Sequence, residues 1–301
     1  MPCLLISLSS PAVEPVLRPA RPEDKAAIAA FTQDTFSWGD YVEGAFDRWL
    51  AGPNSLTVVA EIAGQAAAVA RGALLSPTEA WSQGLRVHPD WRRRRLGATL
   101  LEHLAAWAAS AGARVMRLST EEWNRPALSL FASLEFRPVG SWLAAERTIA
   151  AGSPSLGGNG ARRARARQRL TPVAAADADV AMLAWAGGPL ELAAHGLFPT
   201  AWAWRRLTLS DLEAAARRRA LWHAPAGWAL AETAQDGDFE VSWLCTYPDE
   251  APAMLHALAD LALGAGVECL ELKVPALDWL RSALEQPGWE LHPVRVFARA
   301  L

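Results

Sequence analysis

The sequence repeats itself, and that constrains the fold more than any other feature. "LRPARPED" begins at Leu17 and "LTPVAAAD" at Leu170; each reads as a short strand, a proline turn and an acidic helix start. "VHPD" and "TYPD" end at Asp90 and Asp249, just before helical patterns that stop at Gly112 and Gly266. The strand-like "ARVMRLS" and "VECLELKV" follow. "NRPALSLFASLEF" and "VPALDWLRSALEQPGW" then read as short helices returning to strands. Internal duplication therefore predicts two copies of an α/β fold built on a mixed sheet, each with the order β-α-α-β-β-β-α-β-α-β.

Between the copies, "AGSPSLGGNGARRARARQRL" is rich in Gly and Ser and then in Arg, with no apolar period. That is linker composition. The expected organisation is a first domain at 14–150, a linker at 151–168 and a second domain at 169–301. No aromatic residue interleaves the linker arginines, so they read as a solvated edge rather than a nucleic-acid surface. A net charge of −3 points the same way. Three cysteines, odd in number and far apart, read as reduced thiols of a cytoplasmic protein with no metal site. The N-terminal "MPCLLISLSSPAVEP" is too short for a membrane span and lacks the charged start of a secretory signal.

The copies differ at one place. From Asp90 to Gly112 is 22 residues; from Asp249 to Gly266 it is 17. The second copy has "EAPAML" where the first has "WRRRRLGATLL", four arginines and a glycine at a helix start. Like charge is unfavourable there, because a helix N-terminus already carries partial positive charge and unpaired N–H groups. The arginines are expected to meet an anion. A strand, a tight loop and a helix N-terminus make a pocket of inward N–H groups. Gly97 lets the backbone approach a ligand, and arginine forks suit phosphate oxygens. A diphosphate would satisfy this site, yet neither Gly-Lys-Ser/Thr nor Gly-x-Gly-x-x-Gly is present.

"GLRVHPDWRRRRLGATLLEHL", followed by "NRPALSLFASLEFRPVG", resembles the GNAT superfamily of acyl-coenzyme A-dependent N-acetyltransferases. The family signature Arg/Gln-x-x-Gly-x-Gly/Ala falls on Arg92, Arg93, Arg94, Arg95, Leu96 and Gly97, with Arg95 where the family has its first glycine. The match covers residues 16 to 148 in motif and 169 to 301 in fold only. The resemblance implies acetyl-coenzyme A as acyl donor and no metal. It implies that the N–H groups of Arg93 through Ala98, with Thr99 beside them, hold the pyrophosphate. It also implies that Leu85, Arg86 and Val87 pair with the pantetheine arm as a peptide pairs with a sheet edge. Asn124 matches a cofactor-facing Asn, and Phe131 stands where the family often has the Tyr that protonates the leaving thiolate.

Amine acylation needs a base. Glu79 is the first candidate, on the strand before the loop, with Glu121 and Glu122 as others. His88 reads as structural. The acceptor site is expected in "TQDTFSWGDYVEGAFDRWL", residues 32–50, where Phe36, Trp38 and Tyr41 lie among several carboxylates. Aromatics with carboxylates suit a cationic amine, and an amphipathic core helix remains the other reading. The segment also resembles two-domain N-acetyltransferases that acetylate free amino acids such as histidine. The expected function is acetylation of a primary amine on a small molecule by the first domain, with acyl-coenzyme A sensing as the alternative. Part of "FPTAWAWRRL" is expected to pack against the first domain, making a pseudo-dimeric monomer.

Overall fold

The computed structural model describes residues 14–36, 39–149, 169–234, 237–285 and 288–301. The first copy runs β1 (Val16–Pro19), α1 (Asp24–Thr32), α2 (Val42–Ala51), β2 (Ser55–Ile62), β3 (Gln65–Ser76), β4 (Glu79–Val87), α3 (Leu96–Ser110), β5 (Val115–Glu121), α4 (Arg125–Ser133) and β6 (Arg137–Thr148). The second runs β7 (Thr171–Pro172), α5 (Ala178–Trp185), α6 (Pro189–Ala194), β8 (Leu197–Thr200), β9 (Ala203–Arg206), α7 (Leu209–Arg217), β10 (Leu221–Ala224), β11 (Gly227–Thr233), β12 (Phe239–Cys245), α8 (Ala251–Ala265), β13 (Cys269–Pro275), α9 (Asp278–Leu284) and β14 (Trp289–Ala300). The order expected from the duplication is present in both copies. The second adds β8, β9 and α7. "FPTAWAWRRL" is that added hairpin, turning at Ala201 with φ 52°.

The chain forms two compact units, residues 1–116 with 300–301, and residues 117–299. In the first, β1, β2, β3 and β4 pair antiparallel in that order. The sheet's two faces are set by strand alternation. Val59 and Val69, paired across β2 and β3, pack with Ile28, Val42, Phe46 and Trp49 of α1 and α2. On the opposite face, a Cβ at Gly72 would sit 3.0 Å from Trp107 of α3. The bare glycine lets that helix dock.

In the second unit the sheet order is β14-β6-β13-β12-β11-β10-β7. β6 belongs to the first sequence copy, yet it pairs with β13 from Cys269↔Thr148 to Pro275↔Trp142, and with β14 on its other side. The compact units thus divide near Met116, not in the 151–168 stretch as expected from composition. The physical reason is the strand placement: Leu143 and Ala145 of β6 belong to the same core cluster as Leu255, Leu258, Leu270 and Leu272. On the added hairpin, Trp204 stacks edge-on with Trp142 of β6, ring centres 5.7 Å apart.

Candidate acyl-coenzyme A and acceptor site

After β4 the chain makes a short turn, Pro89–Trp91, capped by His88, whose Nδ1 accepts the Asp90 N–H at 3.2 Å. His88 is structural, as the sequence suggests. Arg93 and Arg95 then adopt left-handed backbone, φ 61° and 63°, before α3 begins. Left-handed residues alternating with ordinary ones make a concave nest of N–H groups. Among the described residues, the N–H groups of Arg93, Arg94, Arg95, Leu96, Gly97 and Ala98 have no acceptor; the Thr99 N–H bonds Arg95 O at 3.0 Å. A run of unpaired donors is costly unless water or a ligand meets it. All four arginine side chains are exposed. Arg94 lies over the Trp91 ring at 4.6 Å, and Arg92 Nε donates to Val87 O at 3.4 Å.

The equivalent place in the second copy is closed. The N–H groups of Glu250 and Ala251 both bond Tyr247 O, at 3.0 and 2.9 Å. Pro252 follows and has no N–H, and Glu250 puts a carboxylate at the N-terminus of α8. An anion finds fewer free donors and an opposing carboxylate there.

β4 is bulged in the middle of the unit. Val69 pairs Arg86 and Arg71 pairs Gln83, so Gly84 and Leu85 oppose the single Ala70. Gly84 has φ +67°, and a Cβ on it would lie 2.2 Å from Cη2 of Trp49. The bulge and the α2 tryptophan fit together only because the position is glycine. A glycine inside "WSQGLRV" is a bulge signal that the sequence reading did not use.

Tyr41 faces this bulge. Burial raises its pKa above the ordinary phenol value, against the opposing pull of the Arg86 charge and the Gly84 backbone. The residue as a whole is 44% exposed. Arg86 is sandwiched near Phe36 and Tyr41, 5.2 and 5.4 Å from the ring centres. Asp40 fixes Arg86 with Nε–Oδ2 at 2.5 Å. Of the residues expected at the acceptor site, Phe36 and Tyr41 are thus brought together with Arg86. Trp38 lies outside the described residues. Two of the segment's carboxylates are paired: Asp40 is held by Arg86, and Asp47 pairs with Lys25 at 2.5 Å, while Asp34 and Glu43 are exposed.

The remaining expected residues are spread out. Glu79 sits at the β3–β4 turn, buried, accepting from Ser76 Oγ at 3.2 Å. It precedes Gly84 by five residues, about 16 Å along an extended strand, which argues against it as the base. In the second unit, Glu121 accepts from Trp123 Nε1, and Glu122 from Arg295 at 3.0 Å. Asn124 spends its side chain as the N-cap of α4, accepting the Ala127 N–H at 3.3 Å. Phe131 was expected beside the cofactor. It is buried instead, packed on Phe136 and Phe297 with ring centres 6.1 and 5.5 Å away. No group of three metal-ligating side chains occurs among the described residues. None of the helices among the described residues is long and apolar enough to cross a membrane.

A strand, a nest of unpaired N–H groups and a helix start stand on a duplicated α/β framework. Residues 25–136 match the Acetyltransferase (GNAT) family. The whole chain shares its fold with a GCN5-related N-acetyltransferase from Sphaerobacter thermophilus, at 18% identity, covering 95% of each chain with a TM-score of 0.65. It also resembles a GCN5-related glucosamine N-acetyltransferase region of a fungal multi-domain β-N-acetylglucosaminidase. That likeness covers 95% of this chain and 38% of the other, at 12% identity and a TM-score of 0.65. No curated protein matches the sequence significantly.

Proposed function

We propose that this protein moves an acetyl group from acetyl-coenzyme A to a primary amine of a small molecule, a free amino acid such as histidine being the candidate class. The observation that carries the reading is the run of six unpaired N–H groups from Arg93 to Ala98, present in one copy and closed in the other. The donors and the exposed arginines fit a diphosphate. Acetyl-coenzyme A supplies the acetyl group as a thioester. Arg93 through Ala98 hold its diphosphate, Arg92 to Arg95 neutralise it, and Leu85, Arg86 and Val87 offer strand backbone to its extended arm. The bulge at Gly84 keeps that part of β4 from ordinary pairing with β3.

The acceptor amine must reach the thioester unprotonated. Tyr41, beside the Gly84 bulge, is the candidate to protonate the leaving thiolate. In this reading Tyr41 takes the place of the family tyrosine absent at Phe131. The chain acts as a monomer in this proposal, since β6 already exchanges into the second copy's strands.

The test is a screen for coenzyme A release from acetyl-coenzyme A across a panel of amines, paired with calorimetry. Transfer to an amine with one acetyl-coenzyme A bound per chain is expected. Tight binding without release to any amine would favour the sensor; two equivalent sites would overturn the loop assignment.

A further inference from the structure

Arg71 is the group that the acyl-transfer reading leaves unexplained. It stands in the middle of β3, in the otherwise apolar "AAAVARGALL". Alternation puts it on the α1–α2 face with Val69, across from Thr57 on β2 and Gln83 on β4. Its Nε is buried with no acceptor, and no ion pair holds it among the described residues. Its terminal amines also have no acceptor among the described residues but are not fully buried, so that edge of the guanidinium is open. Thr57, 5% exposed, has an equally orphaned hydroxyl. Buried arginines are normally paired.

The surroundings hold this guanidinium rather than neutralise it. Trp49 lies 5.9 Å from its carbon. Gly52 lets it pack close: a Cβ there would be 3.1 Å from Arg71 Nη2. The nearby charge is of the same sign, since burial and Arg48 both lower the Arg71 pKa. Tyr41 is the polar group that favours its charge, and Tyr41 touches the bulge at Gly84. A desolvated, uncompensated cation one strand away from the bulge is costly for the fold and suited to an incoming anion.

We infer that Arg71 receives a carboxylate of the acceptor, so that the amine substrate is an amino acid rather than a simple or polycationic amine. This rests on the acetyltransferase reading above and narrows its substrate class. It gives the acceptor a cation as partner on this face, where Asp40 and Asp47 are already paired. A bidentate carboxylate fits the open edge of the guanidinium. The amine, a few bonds away, then lies toward Tyr41 and the Gly84 bulge.

The experiment compares common α-amino acids with their decarboxylated amines, and with their methyl esters, as acceptors for the full chain. The wild type is expected to prefer the free carboxylate. Arg71→Gln is expected to cut that preference in kcat/KM by about a hundredfold, mostly through KM, with acetyl-coenzyme A affinity retained. Arg71→Lys should keep part of it. Thermal melting of Arg71→Gln should be equal to or above that of wild type, since an unpaired buried cation is removed. Acetylation regardless of the carboxylate, or equal loss on acids and amines, would overturn the inference while leaving acetyl transfer intact. If no amine is acetylated, the transferase reading fails. The inference is then decided by calorimetry with N-acetylated amino acids and coenzyme A: binding that Arg71→Gln abolishes supports it, and no binding overturns it.

Discussion

Gly84→Ala is the sharpest test of how the bulge is built. The added methyl would lie 2.2 Å from Cη2 and 2.7 Å from Cζ3 of Trp49, well inside contact distance. The residue must also hold φ +67°, which costs a non-glycine residue roughly 1–2 kcal/mol. Trp49 is 4% exposed and packed with Phe46 and Val69, so it cannot swing away freely; overpacking of this kind costs about 1–3 kcal/mol. The two terms together predict a loss of about 2–5 kcal/mol. Cη2 and Cζ3 belong to the six-membered part of the indole, which phenylalanine lacks at that reach. In a double-mutant cycle, Trp49→Phe should therefore relieve Gly84→Ala, with a coupling of about 1 kcal/mol or more. Urea denaturation of the four proteins measures this. Wild-type stability in Gly84→Ala, or strictly additive effects, would refute the account of the bulge.

Three further outcomes are expected. Gly97→Val should abolish acetyl-coenzyme A binding in calorimetry, because its side chain would meet the diphosphate at the start of α3; unchanged affinity would count against the nest. Tyr41→Phe should lower kcat by ~10²-fold, with little change in acetyl-coenzyme A affinity, if its hydroxyl moves a proton; a rate within a few-fold of wild type in steady-state assays would remove it from the mechanism. Thiol alkylation at pH 8 should spare Cys245 and Cys269. Burial pushes their pKa values up to about 12 and about 11 from 9.0, so almost no thiolate forms. The unfolded chain ionises near 9.0 while the folded one keeps its protons. Stability from these thiols is therefore complete below pH 9 and falls as pH rises from about 9 toward 12. Rapid labelling of either residue in the native protein, seen by peptide mass spectrometry, would contradict their burial.

Element order and the loop were legible in the sequence because both rest on local chemistry. Glycine stops, proline turns and strand alternation recur in each copy, and the arginine run appears in one of them. Strand partners were not legible. The alternation in "RPVGSWLAAERT" shows that β6 has two faces but not that it lies between β14 and β13. The domain boundary, read from the Gly/Ser-rich stretch, missed the strand exchange for the same reason. Glu79 looked like a base because it shares a strand with the loop; its distance along that strand decides otherwise. Arg71 sits in no recognisable motif. Its signal was its setting, a charge in the middle of an alanine- and valine-rich strand that no surface reading explains.

The duplication also tells what the second copy is for. Had it kept acyl transfer, the start of α8 would need free N–H groups; Tyr247 O takes two of them and Pro252 removes another. What it has kept is sheet: β13 and β14 flank β6 along most of its length. A first copy cut away from them would expose both edges of β6, together with Leu143 and Ala145 that lie in the core beside Leu270 and Leu272. Unpaired strand edges of that length pair with other chains. Residues 1–150 alone should therefore aggregate, while a protease nick placed within 151–168 of the full chain should leave both fragments bound to each other. Co-elution of the nicked fragments on gel filtration under native conditions is the expected result. A soluble, monomeric 1–150 fragment with the transferase activity of the full chain would show that the second copy's strands are dispensable, and that the loss of the loop, not the exchange of β6, is the whole of the difference between the halves.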